Sequence, residues 1–537
     1  MTENEIIDPR MPGSAPLEPA AGTGSVSGKK VLLFDNGKIR SEYGSYDAAF
    51  ELFAEELTSA GATVQRRSVD LLGGGGFSEP ALQQLAASIA GSTDAVIIGL
   101  ADAGVSAPSV VLAAHLEGLG IPTGVICQGV GTSVVRTMAS FLVPGLPIHA
   151  LRVWRLSAAE DVRVDAKELW PDVLAGVVRT GDGAPRAAGS VSTGWRLLDV
   201  ESELSDGEFT EVVESDGFGD GLPLIAPRSG LVSTMVEAMG APADDVVWAP
   251  VGARRSSVVV RDVAAIAVMA GCRPAVGRIV LEAFRCMAAA EFRLFQAAIT
   301  AHPSGTLVLV SGPAADAAGM NSGYGCLGPG SRANATIGRA VALSYGFLLG
   351  MRPGHGDIGV QGSPAEYSFC VAENVAESPW SGLNEDIAAA DSSVVLVLRA
   401  EGGHNVLDHT SRDPLALLGG IADTASSLGG NNLYSPGAQT VIVLNPEHAR
   451  ILAEAGWSKR DVQMFIFENA RRQRSDLEGR GITPNWKPWV GQAVPIVENP
   501  DDVVVVVAGA PGPQSQVIVP WGYSRGVARQ FSGSMSE

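Results

Sequence analysis

Between residues 29 and 130, short apolar runs alternate with longer helical stretches. Val31–Phe34 is an apolar run that ends in the loop residues Asp35-Asn36-Gly37, and "SYDAAFELFAEELTSAGA" (45–62) reads as the helix that follows. After a polar connection come a helix over 79–90, the strand "DAVIIGL" (94–100), a helix over 107–119 and the strand "PTGVIC" (122–127). Strands alternating with helices define βαβ units and a parallel sheet. The expectation is an α/β sandwich over 29–155, preceded by a flexible tail rich in Pro, Gly, Ala and Ser at 1–28 and followed by an irregular connection at 156–205.

From 206 to 537 one local design recurs. Four apolar, β-branched runs end in small or polar residues: "TLVLVSGPAAD" (306–316), "SVVLVLRAEGGHN" (393–405), "TVIVLNPEHA" (440–449) and "DVVVVVAGAPGP" (502–513). Such continuous runs suit strands buried on both faces. Helices are expected over 260–272, 275–300, 333–350 and 446–456, the last capped by Asn445 with Pro446 in its first turn. The fold class is therefore α/β: an N-terminal parallel-sheet sandwich plus a larger C-terminal α/β or α+β domain. If the four runs are parallel neighbours, Ser311, His404, Asn445 and the Gly509 loop share the carboxyl-end rim where open α/β sheets bind ligands.

Composition narrows the partners. Of 537 residues, 46% are hydrophobic and 18% charged, a globular balance. A net charge of −20 argues against nucleic acid or an anionic membrane as partner, and leaves room for a small anionic molecule in a local basic pocket. The five cysteines are sparse and widely spaced, giving neither a disulfide framework nor a zinc motif. No secretory signal is read at the N-terminus, and no apolar run nears the ~18–20 residues that span a bilayer. These features point to a cytoplasmic protein, and the apolar segments to a homo-oligomer. No motif names a cofactor.

Candidate chemistry gathers in four places. "NSGYGCLGPGSRANATIGRA" (321–340) is a glycine-rich loop running into a helix. The free N–H groups of that helix, with Ser331, Arg332, Asn334 and Thr336, would hold a carboxylate or phosphate. A tight turn with its arginines (Arg332, Arg339) in ion pairs is the plainer alternative. Asp216 and Asp220 in "ESDGFGDGLPLIAPRSG" (214–230) suit a hard cation or simply a solvated turn. Cys272 beside Arg273, and Cys370 with Glu373 close behind it, are candidate nucleophiles or redox thiols, although free cysteine is among the most buried residue types. His404 in "EGGHNVLDH" would move protons, oriented by Glu401 or Asp408, with His355 reaching the same rim. A metal variant would gather His404, His409, Asp408 and a cysteine, although no metal motif is present.

In the N-terminal part, "DAVIIGLADAGVSAPSVVLAAHLEGLGIPTGVIC" (94–127) resembles the UGSC-type (seleno)protein domain, related to the selenoprotein B component of glycine, sarcosine and betaine reductases. In that family a selenocysteine or cysteine, then Gly-Ser-Cys, follows an aspartate at a strand end. Here Asp102 keeps the aspartate and Gly104 the glycine, while Ala103 stands at the first redox position and Ser106 at the second. Both redox atoms are absent, so the resemblance implies the fold without the thiol or selenol chemistry. The larger block, with "DGFGDGLPLIAP", "VMAGCRP" and "YSFCVAENVAESPW", resembles a bacterial family found beside UGSC-type domains.

The expected function is a small-molecule enzyme of the oxidoreductase or lyase class. It would act on a carboxylate- or phosphate-bearing substrate and make or break a carbon–sulfur or carbon–nitrogen bond by thiol or acid/base chemistry. A non-catalytic ligand- or partner-binding scaffold is the first alternative, and a metal-dependent lyase or hydrolase the second.

Overall fold

A computed structural model of the chain describes residues 3–8, 10, 17, 19–37, 39, 44–71, 79–101, 106–129, 132–153, 157–179, 198, 204–251, 257–435, 437–477, 480, 493–522 and 524–532. Five parallel strands form the N-terminal sheet: β1 (Lys30–Asp35), β2 (Thr63–Ser68), β3 (Ala95–Ala101), β4 (Thr123–Gln128) and β5 (Ile148–Leu151), in the order β2-β1-β3-β4-β5. This is a doubly wound order with its switch point between β1 and β3, where ligands sit in folds of this topology.

Alternation along the strands explains the layers. Val31 and Leu33 face a core containing Phe50, Phe53 and Trp170 from helices α1 (Asp47–Ser59) and α5 (Ala159–Val178). Leu32 and Phe34 face the opposite way, toward α2 (Glu79–Ala90), α3 (Ser106–Gly118) and α4 (Thr132–Leu142), in a core that continues into the rest of the chain.

Three expectations for this part are corrected. The polar connection after α1 contains the edge strand β2, whose side chains are mostly exposed and so lack an apolar signature. Helix α5 occupies most of the first half of the stretch read as an irregular connection, and packs on α1. The described residues of the 1–28 tail are docked: Ile6 and Ile7 are buried, Ile7 N donates to Pro227 O at 3.0 Å, and Ala20 N donates to the buried Glu117 carboxylate. A few apolar residues anchor a segment whose average composition reads as disorder.

His149 on β5 is buried, its Nε2 has no hydrogen-bond partner, and burial pushes its pKa down from 6.5 to about 4. The unfolded chain therefore binds a proton that the folded chain refuses. Stability falls as pH drops from 6.5 toward 4, by roughly 3 kcal/mol in total, and is flat below. Urea melts across this range should show that loss, and His149→Gln should remove most of it.

The second sheet holds β6 (Gly305–Ser311), β7 (Cys370–Ala372), β8 (Ser392–Leu407), β9 (Thr440–Leu444), β10 (Val503–Val507), β11 (Gln514–Pro520) and β12 (Val527–Ser532). Its order is β7-β6-β8-β11-β9-β10, with β12 also on β8. Asn374 N, two residues past β7, donates to Val507 O at the end of β10 at 2.7 Å, so the sheet curls toward closure.

The four expected strands are present, but only β9 and β10 are parallel neighbours. β8 runs antiparallel to β6, and β11 lies antiparallel between β8 and β9. Ser311 therefore sits at the opposite end of the sheet from His404: Ser311 is opposite Val394, and His404 opposite Val517.

The helix expected over 260–272 is present as α6 (Val260–Met269), whereas the one expected over 275–300 is interrupted. It breaks into α7 (Gly277–Met287), a turn at 290–292 and α8 (Leu294–Ala298). Ser524 Oγ donates to Phe292 O and Arg525 N to Glu291 O, so the C-terminal segment takes carbonyls that a continuous helix would use. The break carries Ala297 to His302 under β8.

Candidate functional site

Helix α9 (Arg332–Leu349) begins at the glycine-rich loop, and its mouth is closed from within. Ser331 caps it, accepting from Asn334 N at 3.3 Å, and the buried Asn334 amide donates to Asn321 O and Cys326 O. Arg332 Nε donates to Gly271 O, Thr336 Oγ1 to Arg332 O, and Arg339 grips Asp220 at 2.8 and 2.9 Å. The two glycine-rich stretches thus meet through an arginine–aspartate pair. The groups expected to hold an anion hold the loop instead.

The thiols are sealed. Cys272 and Cys370 are 8% and 5% exposed. Burial pushes the Cys272 thiol up to about 12 and the Cys370 thiol well above its ordinary range, so neither is poised as a thiolate. Glu373 is also buried; one carboxylate oxygen accepts from Ser311 Oγ and from Leu383 N, and burial pushes its pKa up. His404 is exposed on β8, with Nδ1 3.0 Å from the carbonyl of its neighbour Asn405. The structure brings Cys272 near Arg332 and Thr336, but none of their contacts involves His404. His355 stacks edge-on against Phe141 of the N-terminal part. Asp408 accepts from Thr410 N and Ser411 N, which makes it a turn former. Among the described residues no three His, Cys, Asp or Glu side chains gather to hold a metal. Asp102, Ala103 and Gly104 lie outside the described residues; Ser106 is buried at the start of α3.

The polar cavity lies elsewhere, on the helix-covered face of β6 and β8. It has a volume of about 490 Å³, and Arg399, Tyr345, Thr306, Glu366, Asp357 and His302 line it. Arg399 occupies the face that Val395 and Val397 use to pack the core, and pairs across the sheet with Thr306. Its Nη1 donates to Thr306 Oγ1 at 3.1 Å, and its Nη2 to Ser304 Oγ at 3.1 Å and Ala297 O at 3.0 Å. The guanidinium stands 5.0 Å over the Tyr345 ring, whose hydroxyl meets Thr306 Oγ1. With four neighbours fixing its plane, Nε remains buried without a partner.

Glu366 lies on a single 3-10 turn (Pro364–Glu366), and its Oε1 is likewise buried and unpartnered. Burial raises its pKa and the nearby Asp357 adds to the rise, while Arg399 opposes both. Gly305 makes this placement possible: a Cβ there would lie 2.2 Å from Ala365 O. Gly305→Ala should push the turn outward and cost about 1–3 kcal/mol in a denaturant melt.

His302 lies at the side of the cavity. Asn431 Oδ1 accepts from Gly522 N, which turns its amide nitrogen toward His302 Nε2 at 3.0 Å. Nε2 is then an acceptor and the ring proton sits on Nδ1, 3.3 Å from Glu401 Oε1 but off the line of a good hydrogen bond. A bulge between Ala400 and Gly402 re-aims Glu401 toward it. Glu401 therefore lies beside a histidine about 100 positions upstream and not beside the nearby His404. His302 and Thr300 also line a second cavity of about 220 Å³, where Ser106, Val134 and Met138 of the N-terminal part meet Arg293.

Residues 5–179 match the model of the UGSC family, which supports the UGSC-type resemblance for the N-terminal third of the chain. No curated protein matches the chain. Among solved structures, an NAD(P)H:quinone oxidoreductase from Methanothermobacter marburgensis is similar at 14% identity, over 28% of this chain and 97% of that one, with a TM-score of 0.20. No helix in the described residues is long and apolar enough to cross a membrane.

Proposed function

We propose that the chain is a cytoplasmic small-molecule enzyme whose larger part binds a carboxylate- or phosphate-bearing substrate on Arg399. The observation that carries this reading is a pair of buried, unpartnered atoms, Arg399 Nε and Glu366 Oε1, on two residues that line one cavity. Leaving such groups unpaired costs on the order of 1–3 kcal/mol each, a cost that a bound ligand would remove. Arg399 would fix the anionic group, and Glu366, disposed by burial to carry a proton, would act as general acid or base. The reaction would make or break a carbon–nitrogen or carbon–sulfur bond by proton transfer, the lyase arm of the expected function, because both candidate thiols are sealed and protonated.

The N-terminal part, a degenerate relative of selenoprotein B fused to this domain, would support the site without redox chemistry of its own. The missing redox atoms at Ala103 and Ser106 also favour a second reading, a ligand-binding scaffold without turnover.

Incubating the protein with small carboxylates, with and without thiols, and following products by mass spectrometry separates the two. Turnover that Glu366→Gln abolishes supports the enzyme. A thermal shift without product supports the scaffold.

A further inference from the structure

We infer that the ligand of the Arg399 cavity carries a protonated amine as well as an anionic group. This inference rests on the proposed function and adds the second half of the ligand's chemistry. The argument is one of charge balance. Arg399 is the only arginine or lysine among the described residues lining the cavity. Three acids line it: Asp220, Asp357 and Glu366. Asp220 is held by Arg339, and His302 lies between Asn431 and Glu401 at the side of the cavity, so neither enters the balance around Arg399. Asp357 has one oxygen tied to Gly359 N at 2.8 Å. With Asp357 ionised and Glu366 disposed by burial to carry a proton, the walls already balance Arg399.

A plain carboxylate seated on Arg399 would add one uncompensated negative charge and leave Glu366 Oε1 without a partner. A ligand with an ammonium group beside its carboxylate removes both faults. Its anionic end accepts from Arg399 Nε, and its ammonium donates to Glu366 Oε1 with Asp357 close by. The two unpartnered atoms are one donor and one acceptor, and an ammonium carboxylate is complementary to both. The apolar part of the wall, from Ala342, Leu343, Phe347 and Met351, would take its carbon skeleton.

Matched pairs test this by isothermal titration of the full chain: L-glutamate against glutarate, L-phenylalanine against 3-phenylpropionate, and 4-aminobutyrate against butyrate. At least one amine-bearing member should bind tenfold or more tightly than its partner, and Glu366→Gln should shrink that ratio. If the amine-free members bind as tightly, and Arg399→Lys weakens them, the amine is wrong while the anion site stands. If no member of any pair binds the unmodified protein, both readings fail.

Discussion

Arg399→Gln should reduce ligand affinity by about 30-fold to several thousand-fold, the equivalent of ~2–5 kcal/mol for losing one partner of a buried, charge-assisted hydrogen bond. The loss has two sources. The anionic group loses Nε–H, the donor that nothing in the protein uses. The cavity also loses its only cation among the described lining residues, so the remaining acids repel an anion. Part of the effect is structural, because Thr306 Oγ1, Ser304 Oγ and Ala297 O lose their donor. Arg399→Lys separates these contributions: it keeps the charge and the stem but not the fork. Calorimetric titration should find Lys intermediate in affinity, while urea melts should place it closer to the parent than Gln.

Glu282→Ala should cost about 3 kcal/mol of stability, with no effect on the cavity. Glu282 on α7 is 1% exposed and receives Arg278 Nη2 at 2.9 Å, Arg285 Nη1 at 2.7 Å and Arg529 Nε at 2.9 Å. Arg529 comes from β12, so this carboxylate ties the helix layer to an edge of the sheet. Its removal leaves three cations facing one another. The arginines keep some contact with water, which holds the cost near the low end of the ~3–5 kcal/mol typical of a broken buried pair. Denaturant melts of the variant, with ligand titration as control, check both halves of this expectation. Undiminished stability would mean that the network is only a surface decoration.

These two sites differ in how far the amino-acid pattern betrays them. The strand–helix alternation in the N-terminal part was legible because each element carries its own periodicity. The Asn445 cap with Pro446 behind it was legible because capping is local: Asn445 Oδ1 does accept from His448 N. At the start of α9 the pattern singled out Ser331 and Asn334 but not their use: both were expected to hold an anion, whereas Ser331 caps the helix and Asn334 turns inward across its mouth.

The cavity was hidden for a different reason. Thr306, Tyr345, Glu366 and Arg399 come from four separate segments, and they meet only through the antiparallel register of β6 and β8 and the approach of the 364–366 turn to Gly305. One local signal was present. "SVVLVLRAE" carries an arginine inside a run otherwise suited to burial on both faces, and a buried charge needs partners. The cysteines point the other way: a thiol beside an arginine in sequence looks activated, yet both candidates are buried, and for Cys272 burial outweighs the nearby Arg332 and Arg339.

The most direct test of the Arg399–Glu366 site is a crystal structure of the protein grown with the tightest-binding ammonium carboxylate from the matched pairs. The account predicts the carboxylate within hydrogen-bond distance of Arg399 Nε and the nitrogen against Glu366 Oε1. A ligand seated instead at the mouth of α9, or a cavity filled only by water at saturating ligand, would contradict it.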